Sequence, residues 1–130
     1  MGSVYVDTSA LARVLLEEPD KLAIKDALDA FEQLTASRLL RVELQRVGLR
    51  RGLLDRVDAL LADISLIPMD DQILTIAETL TPPVIGTLDA IHLATAVRLS
   101  TAGELDALMT YDKQLAAGAR EHGIEVLSPS

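Results

Sequence analysis

Short β-branched or aromatic runs alternate with helix-length stretches of apolar periodicity along this 130-residue chain. That alternation is the strongest constraint on the fold. Strands separated by helices pair in parallel through crossovers, and a parallel sheet needs both faces covered. Val4–Val6 reads as a first strand ending at Asp7, with Ser9 placed to cap a helix reaching Leu16. Pro19 opens a second helix to Phe31, and Leu34–Ser37 reads as a strand. Helices over Leu39–Arg50 and Leu53–Ala62 follow, broken at Gly52. Ile64–Ile67 is a strand stopped by Pro68, and Asp70 or Asp71 caps a helix to Leu80. Pro82-Pro83 marks the longest loop, after which Thr87 caps a helix over Leu88–Leu99. A strand at Ala107–Thr110, a helix at Asp112–Glu121 and a strand at Ile124–Val126 close the chain. Repeats, linkers and low-complexity segments are missing from the pattern. The expectation is one α/β domain over residues 1–130, with a central, mostly parallel sheet of four or five strands and helices on both faces.

Asp7 does not suit this scheme, because a lone charge at the end of a core strand costs several kcal/mol or more unless it is paired, on the order of the usual burial penalty. In open α/β sheets the ligand crevice lies outside the carboxyl ends of the strands, where Asp7 and Asp112 both fall. Asp89, in the first turn of a helix, can face the same crevice. Asp89 and Asp112 each have an ordinary alternative as helix caps or first-turn acids. Glu43 does not, since its spacing from Leu39, Leu40 and Val47 puts it on the apolar stripe of its helix. It needs a cation, a hydrogen-bond partner or a raised pKa, and Arg46 one turn on is the candidate structural partner. Several carboxylates converging on one crevice repel each other unless a hard divalent cation sits among them. With no cysteine in the chain, oxygen-only ligation points to Mg²⁺ or Mn²⁺ and away from zinc.

Composition narrows the partners. The net charge of −8 argues against binding a polyanion, yet six of the 12 basic residues (Arg38, Arg41, Arg46, Arg50, Arg51, Arg56) cluster between positions 38 and 56. That cluster is either a solvated helix surface or an RNA-facing patch. Aromatic residues make up only 2%, which removes the base-stacking platforms of common single-strand binders. The lack of cysteine fits a reducing cytosol. No apolar run approaches the ~18 residues of a membrane span and no signal peptide precedes the first strand, so a cytoplasmic protein away from membranes is expected. Met1-Gly2-Ser3 resembles a myristoylation start only superficially, because Val6 stands at the required Ser/Thr position; a cloning remnant is the other reading. Catalysis of hydrolysis without a metal would need a pair of acid and base groups, usually histidines. Of the two histidines, His92 lies three residues after Asp89 on the same helix face, but its apolar setting "AIHLA" favours packing over ligation. His122 precedes Gly123 at a helix end, where the dipole accommodates it.

The stretches "VYVDTSAL", "TASRLLRVELQR", "TLDAIHLATA" and "LMTYDKQLAAGAREHGIEVL" resemble, in order and over nearly the whole chain, the successive blocks of the PIN domain. More narrowly they resemble the VapC-type toxin ribonucleases of bacterial and archaeal toxin–antitoxin pairs. The resemblance implies an acidic quartet of Asp7, Glu43, Asp89 and Asp112 that is catalytic and binds Mg²⁺ or Mn²⁺. Asp7 and Asp89 would be principal ligands, Asp112 a ligand directly or through water, and Glu43 a ligand or the group orienting the attacking water. The small hydroxyl after the first acid corresponds to Thr8 or Ser9, and Thr110-Tyr111-Asp112 matches the block carrying the fourth acid. Ser9 and Thr110 are the expected donors that fix carboxylate rotamers. The implied activity is a metal-dependent endoribonuclease, the toxin of a type II pair, hydrolysing RNA by a water that the cation activates. Implied partners are an RNA substrate, a small VapB-type antitoxin and a second copy in a homodimer. The alternatives are a PIN-like binding or scaffold module, and a nuclease of RNA or DNA processing with no antitoxin. A haloacid-dehalogenase phosphatase would need an aspartate where Ser9 stands, and a receiver domain would need a lysine on a late strand that is not there.

Overall fold

Val4, Tyr5 and Val6 are all fully buried, and their side chains alternate between two hydrophobic cores. A strand submerged on both faces is what a central parallel position demands. The computed structural model describes residues 2–130. It contains β1 (Ser3–Val6), α1 (Thr8–Leu15), α2 (Lys21–Asp29), β2 (Gln33–Ser37), α3 (Arg38–Arg51) and α4 (Leu54–Leu61). These are followed by β3 (Ile64–Ile67), α5 (Asp71–Glu78), α6 (Thr87–Thr101), β4 (Ala107–Met109), α7 (Lys113–Glu121) and β5 (Val126–Leu127). The five strands form one sheet in the order β3-β2-β1-β4-β5, and every neighbouring pair is parallel. On one face Val4, Val6 and Met109 meet residues of α1 to α4, among them Leu11, Ile24, Leu40 and Val57. On the other, Tyr5 and Leu108 meet Leu93 and Ala96 of α6 and Leu115 and Ala119 of α7.

The strand order decides where a ligand can bind. From β1 the chain winds outward through β2 and β3, then crosses back to lay β4 on the other side of β1. The reversal opens a crevice outside the carboxyl ends of β1 and β4, where the two covering layers part. Asp7 follows β1 directly, and Thr110, Tyr111 and Asp112 follow β4.

Several ends differ from the sequence reading for local reasons. The cap of α1 is Asp7 and not Ser9, whose hydroxyl is turned back to the Asp7 carboxylate. Gly86, without a side-chain bond, stands at the cap position expected for Thr87, which is the first helical residue of α6. Helix α2 begins at Lys21, because Pro19 lies in the turn in which Lys21 N–H bonds Glu18 O. The last strand is Val126–Leu127 and not Ile124–Val126: Ile124 N–H bonds Ala119 O to finish α7, so that residue is unavailable to the ladder. Asp70 caps α5 as expected, and Gly52 ends α3 in the left-handed conformation at φ 68°. His122 is the C-cap of α7, and its Nε2 donates to Thr81 O at 2.7 Å. At the amino end of the central strand, Gly2 O accepts from Glu32 and Gln33 N–H and Ser3 N–H donates to Asp106 Oδ2; Met1 lies outside the described residues. No helix among the described residues is long and apolar enough to cross a membrane.

Candidate active site

Asp7 is 4% exposed, and three donors meet the same oxygen of its carboxylate. Oδ2 accepts from the Ser9 hydroxyl at 2.7 Å, from the Thr110 hydroxyl at 2.8 Å and, more weakly, from Ser9 N–H at 3.4 Å. Both hydroxyls also accept, Ser9 from Tyr111 N–H (2.8 Å) and Thr110 from Asp112 N–H (3.0 Å). A hydroxyl has one hydrogen, and here each gives it to Asp7. The segment after β1 and the segment after β4 are thereby tied through one buried oxygen. Ser9 and Thr110 stand where the sequence put them. Asp112 caps α7, its Oδ1 accepting from Leu115 N–H at 2.9 Å.

Glu43 reaches this site from α3, but not through Arg46. Among the described residues no ion pair joins the two, because Glu43 faces inward to α1 and α6 while Arg46 is exposed. Oε1 of Glu43 accepts from the Thr8 hydroxyl and from His92 Nε2, each at 2.6 Å. His92, on α6, is 1% exposed, and its Nε2 also lies 3.7 Å from Asp7 Oδ1. The packing expected for it is real, but the ring is also bonded into the acid cluster. Its other nitrogen, Nδ1, is 2.6 Å from the Tyr5 hydroxyl, which accepts from Ser37 N–H at 3.1 Å. The sequence carried a signal for this: His92 is one helical turn from Asp89. Thr8 and Ser9, alternatives in the sequence reading, are both used, one on each acid.

The electrostatics follow from these contacts. Burial pushes the Glu43 carboxyl up, but the bonds from His92 and Thr8 outweigh it and hold the group below its ordinary value. Burial pushes the His92 ring down, and the bond to Glu43 with the charges of Asp7, Glu43 and Asp89 more than reverses that. Both shifts have the sign of an ion pair. Asp89 behaves oppositely. Burial, then a hydrogen bond and repulsion from Asp112, then the charge of Asp7, push it up to about 7. Near neutral pH Asp89 therefore keeps a proton much of the time, shared toward Asp112.

Asp89 thus feels Asp112 and Asp7 directly, whereas Glu43 is joined to Asp7 and Asp89 only through His92. Among the described residues, however, no group of three or more His, Asp or Glu side chains is arranged so that it could hold a metal ion as it stands. The donor set still fits a hard cation: it is all oxygen, and Asp89 and Asp112 repel in the absence of positive charge between them. Mg²⁺ keeps several waters and uses one or two carboxylates plus substrate phosphate, so it needs no finished protein cage. Of the arginine cluster, Arg41 pairs with Asp58 (3.5 Å) and Arg56 with Glu17 (3.8 Å). Arg38, Arg46, Arg50 and Arg51 are exposed. Arg38 opens α3 at the carboxyl edge of the sheet; the others lie farther along the helix, away from that edge.

Comparison with known proteins converges on one family. The PIN domain model matches residues 4–121. Ribonuclease VapC47 of Mycobacterium tuberculosis (strain CDC 1551 / Oshkosh) is 38% identical over 133 residues, covering 97% of this chain and 96% of the relative. Ribonuclease VapC46 of strain ATCC 25618 / H37Rv is 36% identical over 132 residues, covering all of both chains. Among solved structures, a toxin–antitoxin complex from Klebsiella pneumoniae superposes with a TM-score of 0.74 at 23% identity, covering 98% of each chain. VapBC2 from Rickettsia felis, bound to a DNA fragment from its promoter, gives 0.75 at 13% identity, over 98% of this chain and 99% of that one. The structural matches speak for the fold, and the full-length relatives above 30% identity speak for kinship: this chain belongs to the PIN domain family and, within it, to the VapC-type toxins.

Proposed function

We propose that this protein is a Mg²⁺- or Mn²⁺-dependent endoribonuclease and the toxin of a type II toxin–antitoxin pair. The coarser part, a ribonuclease of toxin type, has the support of the full-length VapC relatives. The observation that supports the finer part is Asp89, raised to about 7 by burial and by Asp112, with the charge of Asp7 adding to the push. Repulsion of that kind is what a cation would relieve.

Asp7, Asp89 and Asp112 are the residues that would hold the cation. When bound, it would supply water activation and charge neutralisation on the scissile phosphate. The chain's own contribution is positional. Ser9 and Thr110 hold Asp7 Oδ2, leaving Oδ1 on the side of His92 and Glu43. Glu43, held below its usual range, is a weak proton acceptor, so orienting the attacking water suits it better than deprotonating that water. Asp89, raised to about 7, is only partly ionised near neutral pH in the metal-free site, and loading would displace its remaining proton. The same reading includes a small VapB-type antitoxin that places an arginine or lysine against the acidic crevice, a homodimer formed through apolar helix surfaces, and a prokaryotic cytoplasmic location.

The test is chemical. RNA incubated with the protein should be cut only with Mg²⁺ or Mn²⁺, lose cutting in EDTA and recover it when Mn²⁺ is restored. The products should carry 5′-phosphate and 3′-hydroxyl ends. Products ending in 2′,3′-cyclic phosphate, or full activity in EDTA, overturn the mechanism. No cutting with any divalent ion favours a binding or scaffold module.

A further inference from the structure

We infer that Tyr5 and His92 form a buried clamp that sets the orientation of the Glu43 carboxylate, making His92 a positioning residue of the site. The inference rests on the proposed role of Glu43 and deepens it.

The directions of the bonds are set by chemistry. A carboxylate cannot donate, so Nε2 of His92 carries the hydrogen of the 2.6 Å contact to Glu43 Oε1. Burial holds the Tyr5 phenol well above its usual range, so that hydroxyl stays protonated. In the neutral ring Nδ1 is an acceptor, and Tyr5, itself accepting from Ser37 N–H, gives it a hydrogen. In the charged ring the Tyr5–His92 bond reverses while the one to Glu43 does not. In both forms the imidazole is pinned at each nitrogen, its plane 76° from that of Tyr5. The ring cannot turn without breaking a buried bond and leaving a polar group unpaired.

The placement of the clamp argues for more than stability. Tyr5 is two residues before Asp7 on β1, and His92 is three residues after Asp89 on α6. Glu43 is the acid of α3. The chain from Tyr5 to His92 to Glu43 therefore ties together the elements bearing three of the four acids. Thr8 and His92 both land on Oε1, and Oε2 takes part in neither bond. Two donors on one oxygen fix the carboxylate's rotation as well as its place. A leucine on this apolar face of α6 would pack without a desolvation penalty, so a histidine here is explained by the bonds it makes.

Gln and Asn separate the two nitrogens, since a Gln amide reaches the position of Nε2 and an Asn amide that of Nδ1. His92→Asn should lower kcat for RNA cleavage about 10- to 100-fold, the usual effect of removing a group that orients an active-site carboxylate. KM and the Mn²⁺ dissociation constant from calorimetry should each move less than about threefold, because Glu43 orients water in this scheme. His92→Gln, which keeps the contact to Glu43, should restore about tenfold or more of the loss. In the metal-free protein, the Nε2 proton of His92 should give an exchange-protected, downfield NMR signal that disappears in Glu43→Gln and shifts in Tyr5→Phe. If His92→Asn fails to fold, Tyr5→Phe, which removes only the hydroxyl, carries the kinetic test with a smaller drop in kcat. Equal kcat in His92→Gln, His92→Asn and wild type, or an Nε2 signal indifferent to Glu43→Gln, overturns the clamp. Full activity in Glu43→Gln would instead take down the role given to Glu43 itself.

Discussion

On the Asp7–Glu43 side of the crevice the carboxylates are met by hydrogens: two hydroxyls and a backbone amide on Asp7, a hydroxyl and an imidazole on Glu43. On the Asp89–Asp112 side two carboxyls face each other, and one of them keeps a proton to relieve the repulsion. The residue types are the same and the consequences opposite. The first side is preorganised by the fold and should change little when the site is loaded; the second is incomplete without a positive charge and should respond to pH and to metal. Neutral isosteres, pH and ionic strength each act differently on the two sides.

The largest expected effect is on catalysis from the preorganised side. Asp7→Asn keeps the shape and the acceptor for Ser9 and Thr110, so the fold should survive with stability changed by under about 1 kcal/mol. RNA cleavage should fall about a thousandfold, as a loss of several kcal/mol of electrostatic stabilisation implies. Thermal melts beside a cleavage assay separate the two. A variant that melts much earlier yet cuts normally would make Asp7 a structural cap and nothing more.

Metal should act through the other side. At a concentration one hundred times its dissociation constant, Mn²⁺ should stabilise the wild type by about 2.7 kcal/mol through mass action. Asp89→Asn should lose most of that gain while the metal-free protein becomes no less stable, since a repelling charge has gone. Retention of the full metal shift would remove Asp89 from the ligand set.

Titration tests the same contrast. The folded-state pKa of Asp89, about 7, lies above its unfolded value, so the fold holds this proton more tightly than the open chain does. Its contribution to stability is fully present below the unfolded pKa near 4 and is lost as pH rises through about 7. Metal-free wild type should therefore lose stability across that window, and Asp89→Asn should show a flatter profile. Mn²⁺ affinity should rise over the same interval, because binding releases the proton. Melting curves and calorimetry in buffers of different ionisation enthalpy measure both; a pH-independent Mn²⁺ affinity would mean that Asp89 is not protonated in the free site.

Thr110→Val, an isosteric change, probes the join between the halves. It removes a donor from Asp7 Oδ2 and strands Asp112 N–H, so a stability loss of about 1–3 kcal/mol is expected in urea melts. The smallest effect concerns the exposed arginines farther along α3. Neutralising Arg46, Arg50 and Arg51 should lower the salt slope of RNA binding by nearly one per lost phosphate contact, and an unchanged slope would make the cluster an ordinary solvated surface.

Asp7, Asp112, Asp89 and Glu43 stood out before any coordinates because each sits at a position with a local meaning: a strand end, a first helical turn, an apolar stripe; their hydroxyl partners Ser9 and Thr110 came from the resemblance to the PIN domain. Capping was less legible. Ser9 read as a cap because serine caps helices, but the competing donor–acceptor demand of Asp7 claimed its hydroxyl. Arg46 was assigned to Glu43 from spacing along one helix. Spacing along a helix says nothing about which neighbour lies across it, and Thr8 and His92 came from other elements.

The sequence by itself determined the alternation of strands and helices, and so a parallel sheet covered on both faces, because hydrophobic period is a local property of the chain. It also set Asp7 and Asp112 just after β1 and β4. Tertiary structure alone decided that β4 would lie against β1, since strand order depends on the packing of whole layers. It also decided that Glu43 would be held low by a buried histidine while Asp89 is pushed up by Asp112. Those two acids are the same chemistry in sequence. They differ in what faces each of them across the crevice: for Glu43, residues 35 and 49 positions away in the chain, and for Asp89, an aspartate on a different helix.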